Sequence, residues 1–594
     1  MVRYVFILAI LVLSHSAFAS VPIPSLKPTA MGKVTEKKHE EGFIPQPIIL
    51  NVEKDHYKPL SHHDAEMYKT VFDLQQDEKW SEADQFIEKI DNPVLLGHVL
   101  AQRYLNESYA PSFEQLKNWT AEYSDHPQSR FINARQSNYE SRIVGTTAEL
   151  RYFANGSKYI SRKYTKSQRY ELGLVKKKIG EYLGRGAVSA ALSYFNNHRT
   201  QSYIDDVEKA QILSKIAAHY MYLKKLKKAR STALKALRLS DQAPLAGWVA
   251  GVTAWMDDDF AEATKYFTIA SNAEYASPWT VAAASYWGAR AATRAGLNRE
   301  VVPLLARAIE NQRTFYGLIA MKAMEKAIGS MPFDFDWDIP TFQPDHKDTL
   351  MMHPAGARAL ALVDVGRYTS AQGELYALPV KNDPRMANAA IALANHYNLA
   401  GYAMRFSSVI KKENGGFYDS GLYPVSAWTT NVKGYDKALL NAFIRQESRF
   451  QPMARNNTGA RGLMQVMPGT AAFITGDEEF KTPDGQRLLD YPKINVEIGA
   501  NYLKHLRELE AVNHDLFSLA IAYNAGPGKL RRWKNELKID DPLLFIELIP
   551  SSETRAFVER VVTNYWIYQI HMGIKPNTLL DVAQGQWPII KKDN

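Results

Sequence analysis

Asp259-Phe260-Ala261-Glu262-Ala263, leading to Tyr266-Phe267, is the stretch on which the fold reading turns. Its apolar side chains recur at helical spacing, and Ala263 offers a small surface where a neighbouring helix can pack closely. The same text returns in Trp80-Ser81-Glu82-Ala83-Asp84 before Phe86-Ile87, and in Lys227-Lys228-Ala229-Arg230 before Ala233-Leu234 and Ala236-Leu237. Short helical hairpins of this kind cannot bury their apolar faces alone, so they stack on one another into a superhelix. Strand-like alternation is scarce throughout, and the fold expected is all-α.

The hairpins resemble degenerate tetratricopeptide-like units, with a period too irregular to count, and the superhelix is placed at 61–340. A run of prolines and aromatics, Met331-Pro332-Phe333-Asp334-Phe335-Asp336-Trp337 with Pro340 and Pro344 behind it, marks a break. Helical text resumes from Ala357 to Leu362 and from Ala387 to Tyr397, giving a helical linker unit at 341–425 that ends near Tyr423-Pro424. A third unit is expected at 426–575 and a tail at 576–594.

The 594 residues amount to about four times the ~150-residue domain prior, which agrees with several packed units. Hydrophobic residues make up 46% and charged residues 23%, so neither a disordered nor a fibrous chain fits. The net charge of +9 points to an acidic polymer or surface without naming it. Lys224, Lys225, Lys227, Lys228, Arg230, Lys235 and Arg238 crowd one helix pair, and Lys176 to Lys178 form a smaller cluster; each reads as a solvated face or an electrostatic handle. With no cysteine, disulfides, thiolate metal sites, Fe–S clusters and cysteine nucleophiles are excluded.

Arg3, the apolar run Tyr4 to Leu13 and then Ala17-Phe18-Ala19 follow the order of a secretory signal peptide, so 1–19 reads as a leader cleaved after Ala19. The alternative of an amino-terminal anchor is disfavoured, because the apolar run is shorter than the ~20 residues that span a bilayer. Residues 20–60 carry Pro22, Pro24, Pro28, Pro45, Pro47 and Pro59 and read as an extended arm.

The chemistry is written in the third unit. In Leu439-Leu440-Asn441-Ala442-Phe443-Ile444-Arg445-Gln446-Glu447-Ser448-Arg449-Phe450, Glu447 shares a helical face with Phe443 and Phe450. A carboxyl on an apolar face is desolvated, which raises its pKa and suits it to donate a proton near neutral pH; a buried ion pair with Arg445 or Arg449 is the competing reading. In Gly459-Ala460-Arg461-Gly462-Leu463-Met464-Gln465-Val466-Met467-Pro468, the glycines permit a tight backbone approach, so that Gln465 offers an amide at a cleft wall unless the segment is ordinary core. Phe517-Ser518-Leu519-Ala520-Ile521-Ala522-Tyr523-Asn524-Ala525-Gly526-Pro527-Gly528 is an apolar helix with a Gly-Pro stop; Tyr523 and Asn524 at its end are either sugar-fixing polar groups or a packed ring and a helix cap.

Glu447-Ser448, Gly462-Leu463-Met464-Gln465, Ala522-Tyr523-Asn524-Ala525-Gly526 and Glu553-Thr554-Arg555 leading to Tyr565 stand in the order seen in the soluble lytic transglycosylases, which the chain resembles. Phe315-Tyr316-Gly317-Leu318 and Tyr286-Trp287-Gly288-Ala289-Arg290 are similar to that family's superhelical region. The resemblance implies a goose-lysozyme-like α-helical domain at 426–575, with Glu447 as acid and then base. It implies that Ser448, Met464, Gln465, Tyr523 and Asn524 line the sugar site, and that Glu553 and Tyr565 orient the N-acetyl group or the acid. Asn456-Asn457-Thr458 departs from the Ser and Pro or Ala of relatives. The substrate implied is peptidoglycan glycan strands in the periplasm, with no nucleic acid, metal or cofactor.

Glycosidases ordinarily use two carboxylates. The run Asp477, Glu478 and Glu479 reads as solvated, and Glu553 has Arg555 beside it as a neutralising partner. A single carboxyl suits cleavage without water, giving a 1,6-anhydro-N-acetylmuramic end. A hydrolytic muramidase and a non-catalytic envelope scaffold are the rival readings.

Overall fold

A computed structural model of the chain describes residues 59–591 apart from 107, 137–163, 339, 382, 411, 413, 414, 431 and 433. The expected leader, most of the arm and the last three residues of the tail lie outside the described residues. Among the described residues there is no β-strand, only the isolated bridges Arg455↔Arg461, Arg461↔Val466 and Asp515↔Ile589. The fold is all-α.

The irregular period of the hairpins hides a regular joint. Seven times among the described residues the chain leaves an α-helix through a residue with positive φ and begins the next α-helix two residues later. These residues are Glu78, Gly186, Lys224, Asp258, Gly296, Gly366 and Asn398, and the helices they precede are Trp80–Ile87, Val188–Asn197, Leu226–Leu239, Phe260–Asn272, Asn298–Ile309, Tyr368–Leu375 and Ala400–Ser407. At each joint the following N–H reaches back to a carbonyl five residues earlier, as in Lys79 to Leu74, Lys225 to Tyr220, Asp259 to Ala254 and Leu399 to Ala394. This is the left-handed closure that satisfies the carbonyls at a helix end.

Five residues past the joint stands a fully buried alanine in six of the seven hairpins: Ala83, Ala191, Ala229, Ala263, Ala371 and Ala403. Its small side chain lets the two helices approach closely. Ala263→Leu is therefore expected to cost about 1–3 kcal/mol through overpacking. Ala261→Leu, on the exposed side of the same helix, should be close to neutral in the same urea titration.

Packing groups the helices in a way the linear order does not show. Leu60 to Val99 share one core with Phe342 to Tyr418, so the two proposed units 61–340 and 341–425 are joined through it. Helices from 164 to 324 share another core with residues 400 to 590. Across this second seam Phe315 stacks on Trp566 at 5.3 Å, Tyr316 donates to Glu547 at 2.5 Å and Arg290 pairs with Asp541 at 2.6 Å. The aromatic break forms a strap: Phe333, Phe335 and Trp337 stack in sequence, and Trp337 lies on His571 at 4.2 Å. The stretch read as a tail is packed as well. It holds the helix Asn577–Ala583, with Leu579, Val582 and Ile590 buried in the core, because Leu516 N–H bonds Pro588 O and Ile590 N–H bonds His514 O.

Candidate functional site

Helix Lys437–Glu447 begins at Asp436, whose side chain caps Leu439 N–H, and runs through a core in which Ala438 to Ile444 are all buried. Glu447 is its last residue. Ser448 follows and is buried with its hydroxyl on Ile444 O at 3.2 Å; Arg449 and Phe450 then take positive φ and turn the chain away. The Glu447 carboxyl is half-buried and makes no hydrogen bond or ion pair among the described residues. Burial, then the charge of Glu553, pushes its pKa up to about 8. Its place at a helix C-terminus, where unpaired carbonyls gather, acts in the same direction.

The competing ion pair is not formed by Arg445. That side chain donates to Leu422 O at 2.9 Å and to Asn564 Oδ1 at 2.7 Å, and lies over the Tyr423 ring at 4.2 Å. Arg555 does not neutralise Glu553 either. It reaches Ile549 O and covers the Tyr222 ring at 4.1 Å, fastening the helix Ser552–His571 to the superhelix, while Glu553 stays exposed. Asp477, Glu478 and Glu479 form a surface turn in which Asp477 caps Glu479 N–H and Lys481 pairs with Glu478 at 2.6 Å.

Tyr523 brings two of the motifs together. Its hydroxyl donates to Met464 O at 2.6 Å, and its ring packs on Phe443 at 4.7 Å, one turn before Glu447. Burial, with the nearby Glu447 charge, raises its pKa well above the ordinary phenol value, so the hydroxyl remains a donor. Gln465, at φ +46°, spends its Nε2 on Ala454 O and Gly462 O, both at 3.0 Å, and so ties its own loop. Met464 is fully buried, whereas Met467 is 40% exposed. Asn456 accepts from Thr458 N–H, the Thr458 hydroxyl and Ala460 N–H, so the departing Asn-Asn-Thr text makes its own turn.

Tyr565 and Asn524 both make contacts within the fold. Tyr565 is buried and its hydroxyl donates to Asp436 Oδ2 at 2.7 Å, so it grips the start of the helix that ends in Glu447 rather than the carboxyl itself. Asn524 Oδ1 accepts from Thr554 Oγ1 at 2.8 Å, so the middle residue of Glu553-Thr554-Arg555 makes the contact between these motifs.

Asn495 carries no signal in the motifs yet organises the loop. Fully buried, it accepts from Met464 N–H at 2.8 Å and donates to Arg461 O and Leu489 O at 2.8 and 2.9 Å. Gly462 is required beside it: its φ is +76°, and a Cβ there would collide with Asn495 Nδ2 and Leu489 O. The detectable signal is an asparagine amid the apolar stripe Val496, Gly499, Leu503. Asn495→Ala leaves Met464 N–H and Leu489 O unpaired, while Arg461 O keeps Val466 N–H, and is expected to cost about 2–4 kcal/mol by thermal denaturation.

His98, His126 and Glu374 are the described trio that could hold a metal ion. His98 Nε2 bonds Glu374 at 2.7 Å and Arg358 grips Glu374 through Nε and Nη2 at 2.9 Å each, whereas His126 is bonded only through Nδ1, to Asp125 at 3.1 Å, and its buried Nε2 has no hydrogen-bond partner.

Residues 426–544 match the model of the family described as Transglycosylase SLT domain. The chain is 39% identical over 162 residues to a soluble lytic murein transglycosylase of Escherichia coli K12, across 26% of this chain and 24% of that protein. It is 36% identical over 138 residues to a putative soluble lytic murein transglycosylase of Haemophilus influenzae, across 23% of this chain and 22% of the relative. These alignments thus span about a quarter of the curated relatives' length. The crystal structure of the 70 kDa soluble lytic transglycosylase from Escherichia coli superposes with TM-score 0.55 at 17% identity, covering 89% of this chain and 99% of that one. Its complex with bulgecin A superposes with TM-score 0.56 over the same shares. That likeness is one of fold: a helical superhelix with a lysozyme-like domain. Through residues 426–544, the chain carries a Transglycosylase SLT domain and resembles the soluble lytic transglycosylases.

Proposed function

We propose that the chain is a peptidoglycan lytic transglycosylase, acting in the periplasm on the β-1,4 bond between N-acetylmuramic acid and N-acetylglucosamine. The observation that carries this reading is the unpaired, half-buried Glu447, with its pKa raised to about 8, next to Tyr523 and the Gln465 loop. At neutral pH Glu447 holds its proton and donates it to the glycosidic oxygen as that bond breaks. The substrate's acetamido oxygen stabilises the cationic carbon. Glu447, now a carboxylate, takes the proton of the muramic C6 hydroxyl as that oxygen closes onto C1, and the acid is restored.

Water does not enter the balance. The C6 hydroxyl competes because it is tethered, and effective molarities of such groups reach ~10⁵ M or more. Glu553 is the nearest second carboxylate, but it is exposed, so its effect on the reaction is to raise the proton affinity of Glu447. The chemistry asks for no metal.

Mass spectrometry of the products from purified cell wall tests the reading. Ends lighter by one water than reducing ends are expected. Reducing ends would make the chain a muramidase, and no release at all would make it a scaffold.

A further inference from the structure

A cavity of about 500 Å³ lies on the seam between the linker helices and the lysozyme-like unit. Glu447, Gln465, Tyr523 and Asn524 do not line it. One wall comes from Tyr368 and Gln372 and from Tyr397 at the next hairpin joint; the other comes from Trp428, Arg487 and Tyr491. Its floor includes Phe450 and Leu463, three residues after Glu447 and two before Gln465. The volume falls within the range of about 300–1,000 Å³ typical of small-ligand sites.

The walls are aromatic, and their polar groups are unspent. The hydroxyls of Tyr368 and Tyr397, the indole N–H of Trp428 and the Gln372 amide make no hydrogen bond among the described residues. The charges at the mouth differ in the same way. Arg455 and Arg461 both spend themselves on Asp490, at 2.6 and 3.0 Å. Arg487 has only a loose contact with exposed Asp484 at 3.7 Å, so its guanidinium is available. Flat aromatic faces, neutral donors and one free guanidinium suit a carbohydrate that bears carboxylates.

We propose that this cavity is a second glycan site, which takes an amino-sugar segment carrying lactyl carboxylates while another part of the same strand lies at Glu447. The proposal rests on the substrate class given under the proposed function. Both sites share the loop 448–466, so one strand could bridge them, and holding it at the cavity raises its effective concentration at the acid. The carboxylate of the bound sugar faces Arg487, and the ring faces meet Trp428 and Tyr397.

The test is calorimetric titration of full-length Glu447→Gln with a tetrasaccharide of alternating N-acetylglucosamine and N-acetylmuramic acid. Two molecules per chain are expected. Adding Arg487→Ala and Gln372→Ala, both outside the core, should weaken one of the two sites at least tenfold and leave the other. Chitotetraose, which lacks the carboxylates, should bind the affected site at least tenfold more weakly. With Glu447 intact, the same pair of substitutions should slow cleavage of long strands about fivefold or more and spare the tetrasaccharide.

One molecule per chain, or two sites that both ignore Arg487→Ala and Gln372→Ala, overturns the proposal even if anhydro products are formed. Two sites, one of them sensitive, in a chain that releases no product would uphold the cavity and sink the catalytic reading instead.

Discussion

Glu447→Gln is expected to lower cell-wall cleavage by about 10²–10⁴-fold, the usual worth of a general acid, while making the chain harder to unfold above neutral pH. The two effects have one cause. Burial raises the carboxyl from 4.5 to about 8 in the folded chain. Between those values the folded state binds the proton and the unfolded state does not, so the contribution of this group to stability falls as pH rises from about 4.5 to about 8, then levels off.

Glutamine carries no charge to desolvate. Its advantage should be absent near pH 4 and reach on the order of 1–3 kcal/mol by pH 9, below the full value of the shift because the side chain keeps some solvent access. Activity of the unaltered chain follows the protonated form and should drop about tenfold per unit above pH 8. Denaturation midpoints and rates measured across pH check both signs. A variant that cleaves at the original rate would remove Glu447 from the chemistry.

Glu374→Ala should produce the largest loss of stability. Glu374 is wholly buried at the junction where the first helices meet the 342–418 helices, and it accepts from His98 at 2.7 Å and from Arg358 through two bonds of 2.9 Å. Burial alone would raise its pKa, but His98 and Arg358 hold it below the ordinary carboxylate value. Removing the acid leaves the buried Arg358 guanidinium with only the exposed Asp125 carboxylate, at 2.9 Å, and takes the partner of His98 away, at a cost of about 3–5 kcal/mol. Hydrogen exchange should speed up in helices His62–Gln76 and Leu96–Leu105 while Lys437–Glu447 keeps its protection. The double change Glu374→Leu with Arg358→Met should recover most of the loss, because it leaves neither charge alone. If Glu374→Ala left the exchange of the first helices unchanged, the junction would not depend on this ion pair.

What could be read in the sequence was local. The alanine found in six of the seven hairpins is set by helix geometry within a dozen residues, so Ala83, Ala229 and Ala263 could be picked out by eye. The regular joint was harder to see, because its left-handed residue is Glu78, Lys224, Asp258 or Asn398 as often as glycine. Glu447 was legible because a carboxylate among apolar neighbours contradicts its surroundings.

Partners distant in the chain were not legible. That Tyr565 grips Asp436, that Thr554 serves Asn524, and that Arg445 turns to Asn564 all depend on contacts between helices far apart in sequence. A motif names the residues that cluster, but not which of them touch. Asn495 lies outside every motif, although the loop bearing Gln465 depends on it.

The core shared by Leu60 to Val99 and Phe342 to Tyr418 also governs the order in which the chain can be completed. As the polypeptide emerges from its amino end, these first helices find no seat until some 250 residues later, when the stretch from 342 onward appears. The hairpins between can close one after another as they form, since each joint needs only neighbours. The opening helices must wait with their greasy sides uncovered, and joining such distant ends is expected to be the slow step in assembly. A chain cut short before residue 342 would therefore keep its hairpins but leave its beginning without a partner, and the remedy would be a separately supplied 342–418 fragment rather than any change to the first helices themselves.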